Sequence, residues 1–131
     1  DNNACIKILK EVIAIDKTFS AAYQALAFAY IRIGDKSKAF KTLETAKTIV
    51  KNDPQNHYYY AVMQNDSGKS KEAISTIMDA LITYPNNEQL LTLAYSIYSD
   101  RGEITKAENT LKTLIKVYPN NKQYQQIKNS N

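Results

Sequence analysis

The sequence predicts an all-α fold built as a solenoid of antiparallel helix pairs, and three observations carry that expectation. Glycine occurs only at Gly34, Gly68 and Gly102, spaced 34 residues apart each time. An alanine follows each glycine by five residues, at Ala39, Ala73 and Ala107. A bulky aliphatic follows each alanine by four, at Leu43, Ile77 and Leu111. A period of that length, written in small residues at fixed offsets, belongs to stacked helical hairpins, none of which buries its apolar face alone. The 131 residues hold three full repeats, a leading half repeat and a C-terminal helix, read together as a single array.

The leading stretch 1–16 is expected to be the second helix of a repeat. Counting back one period aligns Asp35, Ala39, Leu43 and Ala46 with Asp1, Cys5, Leu9 and Val12. Ile6, Leu9, Val12 and Ile13 then form its apolar stripe. A second helix without its first reads as part of a longer array. Cys5 falls where the other repeats keep alanine, so it is expected to be a small buried hydrophobe, not a reactive thiol.

Residues 20–51 form the first whole repeat. Ala27, Ala39 and Ala46 let two helices approach closely, while Tyr23, Leu26, Tyr30 and Leu43 fill the space around them. Gly34 followed by Asp35 suits a left-handed turn that ends one helix and caps the next. In the second repeat, 54–85, Asp53-Pro54 reads as an N-cap and a first-turn proline. His57, Tyr60, Ala61 and Gln64 take the places of Tyr23, Leu26, Ala27 and Tyr30. His57 is read as a packed or hydrogen-bonded scaffold residue, with a ligand or pH-sensitive contact as the alternative. The third repeat, 88–119, ends in Tyr118-Pro119-Asn120-Asn121, a copy of Tyr84-Pro85-Asn86-Asn87. That tetrapeptide supplies a helix stop and a cap. Residues 122–128 follow as a polar capping helix or a partial repeat, anchored by Tyr124 and Ile127, and 129–131 are expected to fray.

The pattern Tyr23-x-x-Leu26-Ala27-x-x-Tyr30, then Gly34, then Ala39-x-x-x-Leu43-x-x-Ala46 resembles the tetratricopeptide repeat. The resemblance runs from Asp1 to about Ile127. It implies a right-handed superhelix whose first helices line a concave groove. The related pentatricopeptide and Sel1-like arrays repeat at other intervals. What is implied is a protein-interaction scaffold, not an enzyme, binding a peptide or helical segment of a partner protein. The candidate groove residues are Gln24, Phe28, Ile31 and Arg32 on the first repeat, Gln55, Tyr58, Val62 and Asn65 on the second, and Gln89, Thr92, Ser96 and Ser99 on the third. The N-terminal rows offer apolar side chains; the last offers hydroxyls and amides. Family members that grip chaperone tails are similar to one another in keeping lysine, asparagine and arginine on this face. Gln24, Phe28, Tyr59, Gln89 and Leu93 stand at the comparable places, so no carboxylate clamp is expected. The alternative role is an assembly element that self-associates or stacks through exposed repeat ends.

Other classes find little support. With 44% apolar and 23% charged residues the composition is that of a soluble globular chain. The net charge of +4 is spread without a block of like charges, which argues against nucleic acid. No apolar run reaches the length of a membrane span, and no charged-then-apolar leader stands at the start. A single cysteine excludes an internal disulfide framework and leaves the compartment open. One histidine, one cysteine and no glycine-rich phosphate loop give no catalytic constellation, no metal site and no cofactor. The lysines of the second helices, at 36, 38, 41, 47, 106, 112 and 116, read as an outward, solvated face.

Overall fold

In a computed structural model, which describes residues 1–130, the chain forms eight helices and no strand among those residues. They are α1 (Asn2–Ile15), α2 (Ser20–Arg32), α3 (Lys36–Ile49), α4 (Pro54–Asp66), α5 (Ser70–Thr83), α6 (Glu88–Asp100), α7 (Ile104–Val117) and α8 (Lys122–Ser130). The turns follow from the predicted capping chemistry. Gly34, Gly68 and Gly102 adopt φ of 83°, 80° and 74°, the left-handed region where a side chain is strained. After Gly34 the backbone N–H of Asp35 returns to the carbonyl of Tyr30, and the Asp35 carboxylate accepts from the N–H of Lys38 to open α3. Asp1 opens α1 in the same manner, accepting from Ala4 at 2.8 Å. Asn87 and Asn121, the last residues of the two Tyr-Pro-Asn-Asn copies, accept from Leu90 and Gln123 at 2.9 and 3.0 Å.

The chain divides into two compact units, Asp1–Met63 and Gln64–Asn131. In the first, Ile6, Leu26, Ala27, Ala29, Tyr30, Ala39, Leu43 and Met63 form the core, with Leu9, Ile13, Phe40, Tyr59 and Tyr60 packed around it. Ala27, Ala39 and Ala46 are wholly buried, which is the close helix approach their size allows. Phe40 meets Tyr60 edge-on at 5.6 Å, and the Lys47 ammonium lies 4.1 Å from the centre of the Tyr60 ring. Cys5 differs from expectation: it is only half-buried.

In the second unit the core is Leu91, Leu111, Leu114 and Tyr124, bordered by Leu81, Tyr95, Ile115, Tyr118 and Ile127. The second repeat departs from the others in a paired way. Tyr30 lies under Lys38 and Tyr98 under Lys106, both at 5.8 Å. The equivalent residues are Gln64 and Glu72, and there Thr76 donates a hydrogen bond to the Gln64 amide oxygen at 2.7 Å instead. The helix expected over 122–128 continues through Ser130, whose hydroxyl donates to the Gln126 carbonyl; Asn131, expected to fray, lies outside the described residues.

One tyrosine ties down the end of α7 and another ties down α8. Tyr118 donates to the carbonyl of Asn86, and the buried Tyr124 donates to the Glu88 carboxylate at 2.7 Å. Burial, then that hydrogen bond, pushes the Tyr124 phenol from an ordinary 10.0 up to about 12. The fold thus favours the neutral phenol. Its contribution is complete below pH 10 and is lost as pH rises through about 12. Amide exchange in α8 is therefore expected to accelerate across that window. Tyr124→Phe, at a cost of about 1–2 kcal/mol at neutral pH, is expected to remove most of the alkaline step.

Candidate functional site

First helices of the first unit present an unusual surface. α2 carries one formal charge, Arg32, and α4 carries none from Pro54 to Met63 apart from the single histidine. On the exposed side of α2, Phe28 and Ile31 remain 39% and 37% accessible. Arg32, one turn beyond Phe28, is exposed in the last turn of the helix. On α4, Tyr58 and, one turn on, Val62 are half-buried. Tyr59 joins the two helices: its ring stands edge-on to Phe28 at 5.0 Å and to Tyr58 at 5.5 Å. Phe28, Tyr58 and Tyr59 therefore form one aromatic cluster. Tyr59 was not among the predicted groove residues, although the run Tyr58-Tyr59-Tyr60 was a visible signal.

Gln24 is hydrogen-bonded within the scaffold. Its amide nitrogen donates to Asn56 Oδ1 at 3.0 Å and to Asp53 Oδ2 and Ser20 Oγ at 3.2 Å. Ser20 donates to Asp53 Oδ2 at 2.5 Å, and Asn56 Nδ2 donates to Ser20 Oγ at 2.9 Å. Asn56 is fully buried. Four polar side chains thus lock the start of α2 to the start of α4, and Gln24 is engaged there. Asp53 also caps α4 through the N–H of Gln55. The Gln55 side-chain oxygen is buried without a hydrogen-bond partner.

In the second unit the predicted residues make a polar row. Gln89, Ser96 and Ser99 are exposed on α6, and the half-buried Thr92 hydroxyl donates to the Gln89 carbonyl at 3.0 Å. Asn65, half-buried near the end of α4, accepts from the N–H of Gly68 through its own carbonyl. Among the described residues no three His, Cys, Asp or Glu side chains come together as metal ligands, and no helix is long and apolar enough to cross a membrane.

Antiparallel helix pairs joined by left-handed glycine turns, with near-uncharged first helices and lysine-bearing second helices, define a helical-repeat scaffold of the protein-binding kind. Two family models described as tetratricopeptide repeat match residues 20–53 and 90–121, between them half of the chain. The chain belongs to the tetratricopeptide repeat family. A comparison with curated protein sequences returns no match. Among solved structures, one crystal structure of MamA is similar with a TM-score of 0.74 at 18% identity, covering 95% of this chain and 72% of that one. A second crystal structure of the MamA protein gives 0.73 at 20% identity, covering 94% and 67%. At these identities the likeness is one of fold.

Proposed function

We propose that the chain binds a segment of a partner protein on its first helices, with the Phe28–Tyr58–Tyr59 cluster of the first unit as the anchor. The carrying observation is the character of that surface: partly exposed aromatic and aliphatic side chains, one arginine, and no other formal charge. The desolvated core of a protein interface has this composition, being depleted in charged residues but enriched in aromatics and arginine. The favoured ligand is an apolar peptide segment, extended or helical, whose side chains insert beside Phe28 and above Val62. The polar row of α6 suits hydrogen bonding to peptide backbone. Gln24 helps to hold α2 and α4 in place. We read this surface as a binding surface, in keeping with the interaction role typical of the tetratricopeptide repeat family.

An array of overlapping peptides from the proteins of its source organism tests the proposal, probed with the wild type and with a Phe28→Ala, Tyr58→Ala variant of unchanged helicity. Specific signals that vanish in the variant are expected. Equal signals from both proteins would place binding elsewhere and overturn the proposal.

A further inference from the structure

The second unit holds a cavity of about 250 Å³, bounded by Lys71 and Ile74 of α5, Tyr98 of α6, and Arg101, Glu103 and Lys106 around the start of α7. None of these belongs to the first-helix surface proposed above for peptide. Tyr98 is buried and Ile74 half-buried, whereas Lys71, Arg101 and Lys106 are exposed, so an apolar floor lies under a cationic rim. Arg101 is held in place: its Nε donates to Glu103 Oε2 at 2.9 Å and its Nη1 to Ser70 Oγ at 2.7 Å. The remaining guanidinium donors are then presented in a fixed plane. Lys106 donates to Glu103 Oε1 at 3.4 Å and stands over the Tyr98 ring, while Lys71 has no ion pair among the described residues.

Glu103 is the one carboxylate on the cavity wall among the described residues. The Arg101 hydrogen bond holds it below the ordinary carboxyl range, so it is ionised at neutral pH. Three cations against this carboxylate leave the wall with a charge of +2. One period earlier the same places hold Ser37, Phe40, Gln64, Ser67, Lys69 and Glu72, a single cation and a single carboxylate. A requirement of the helical frame would recur with the period, as the glycines and alanines do. These cations do not recur.

We propose that this cavity binds a phosphate monoester, with Arg101, Lys71 and Lys106 around the phosphoryl oxygens and the organic group of the ester over Ile74 and Tyr98. The charge of the dianion matches the cationic excess, which a lone carboxylate meets only by half. Arg101 supplies a planar donor edge suited to pairing with phosphoryl oxygens, and the lysines add point charges. The rim is open to water and its field is screened, so binding is weak, with a Kd on the order of 1 mM at low salt. A small ester and a phosphorylated side chain of a partner protein present the same group.

Amide NMR shifts of this chain test the proposal, with phenyl phosphate as the probe and benzoate and inorganic phosphate as comparators at matched ionic strength. Saturable shifts are expected at Lys71, Ile74, Arg101 and Lys106, with phenyl phosphate about threefold or more tighter than either comparator. A Lys71→Gln, Lys106→Gln variant is expected to keep its helicity and bind about tenfold more weakly, and Arg101→Gln independently to weaken binding as well. Lys41→Gln removes an exposed lysine of the first unit and is expected to change nothing. Shifts that fail to saturate by about 20 mM, far above the expected Kd, overturn the proposal, as does equal affinity in the wild type and the double variant. Benzoate bound as tightly as phenyl phosphate would overturn the phosphoryl assignment, and inorganic phosphate bound as tightly would overturn the apolar floor. An alanine-flanked phosphotyrosine peptide carries the same phenyl phosphate group. Tighter binding of the peptide than of the free ester would support a partner side chain as the source, and equal or weaker binding a small ester.

Discussion

Leu43→Ala is expected to destabilise the first unit by about 2–5 kcal/mol, the range for a large buried aliphatic cut back to alanine. Leu43 is 1% exposed and sits in the core with Leu26, Ala27 and Tyr30. Removing its branched end leaves a void that its surroundings are poorly able to close. Ala27 and Ala39 already bring the helices to close contact, so little further inward movement is available. For a domain stable by about 5–15 kcal/mol this is a large fraction of the total. Urea denaturation followed by circular dichroism measures it. A loss below about 1 kcal/mol, less than such truncations cost in a rigid core, would show that the alanine contacts relax and that the small-residue frame is not what fixes helix spacing.

Asn56→Ala is expected to cost about 2–3 kcal/mol, because it removes one member of a buried network and strands the others. Asn56 is fully buried, donating to Ser20 Oγ and accepting from Gln24 Nε2. The equivalent positions in the neighbouring repeats are Ala22 and Leu90, both buried and apolar. The site therefore tolerates an apolar side chain when nothing polar faces it. A double variant, Ser20→Ala with Asn56→Leu, is expected to recover about half or more of the loss, since replacing both partners costs far less than orphaning one. Non-additive denaturation energies in that cycle would demonstrate the coupling. Additive losses would mean that the two residues act independently.

This network also marks the limit of what the period discloses. Glycine spacing and the two Tyr-Pro-Asn-Asn copies marked five of the turns, because capping and left-handed backbone are local chemistry. The buried positions at Tyr23, Leu26, Tyr30 and Leu43 were equally legible, being set by helix periodicity. Contacts between successive helices were not. Counting by 34 names equivalent places, whereas Phe28 touches Tyr59, 31 residues on, and Ser20 touches Asn56, 36 residues on. Gln24 thus looked like a groove residue by position and is bound within the scaffold by contact. Tyr59 looked like a non-clamp residue and proves to be the centre of the aromatic cluster. Cys5 looked buried by analogy with the alanines of the other repeats and is half-buried.

The central claim is that the exposed faces of α2 and α4 in the first unit anchor a peptide, and calorimetric titration of one array-derived peptide tests it most directly. The wild type and the Phe28→Ala, Tyr58→Ala variant are compared at matched helicity. Loss of two aromatic anchors is expected to weaken binding by about 30-fold or more, the scale of interface hot spots. Affinities agreeing within about twofold, less than 0.5 kcal/mol, would contradict the claim and move the binding surface off these two helices.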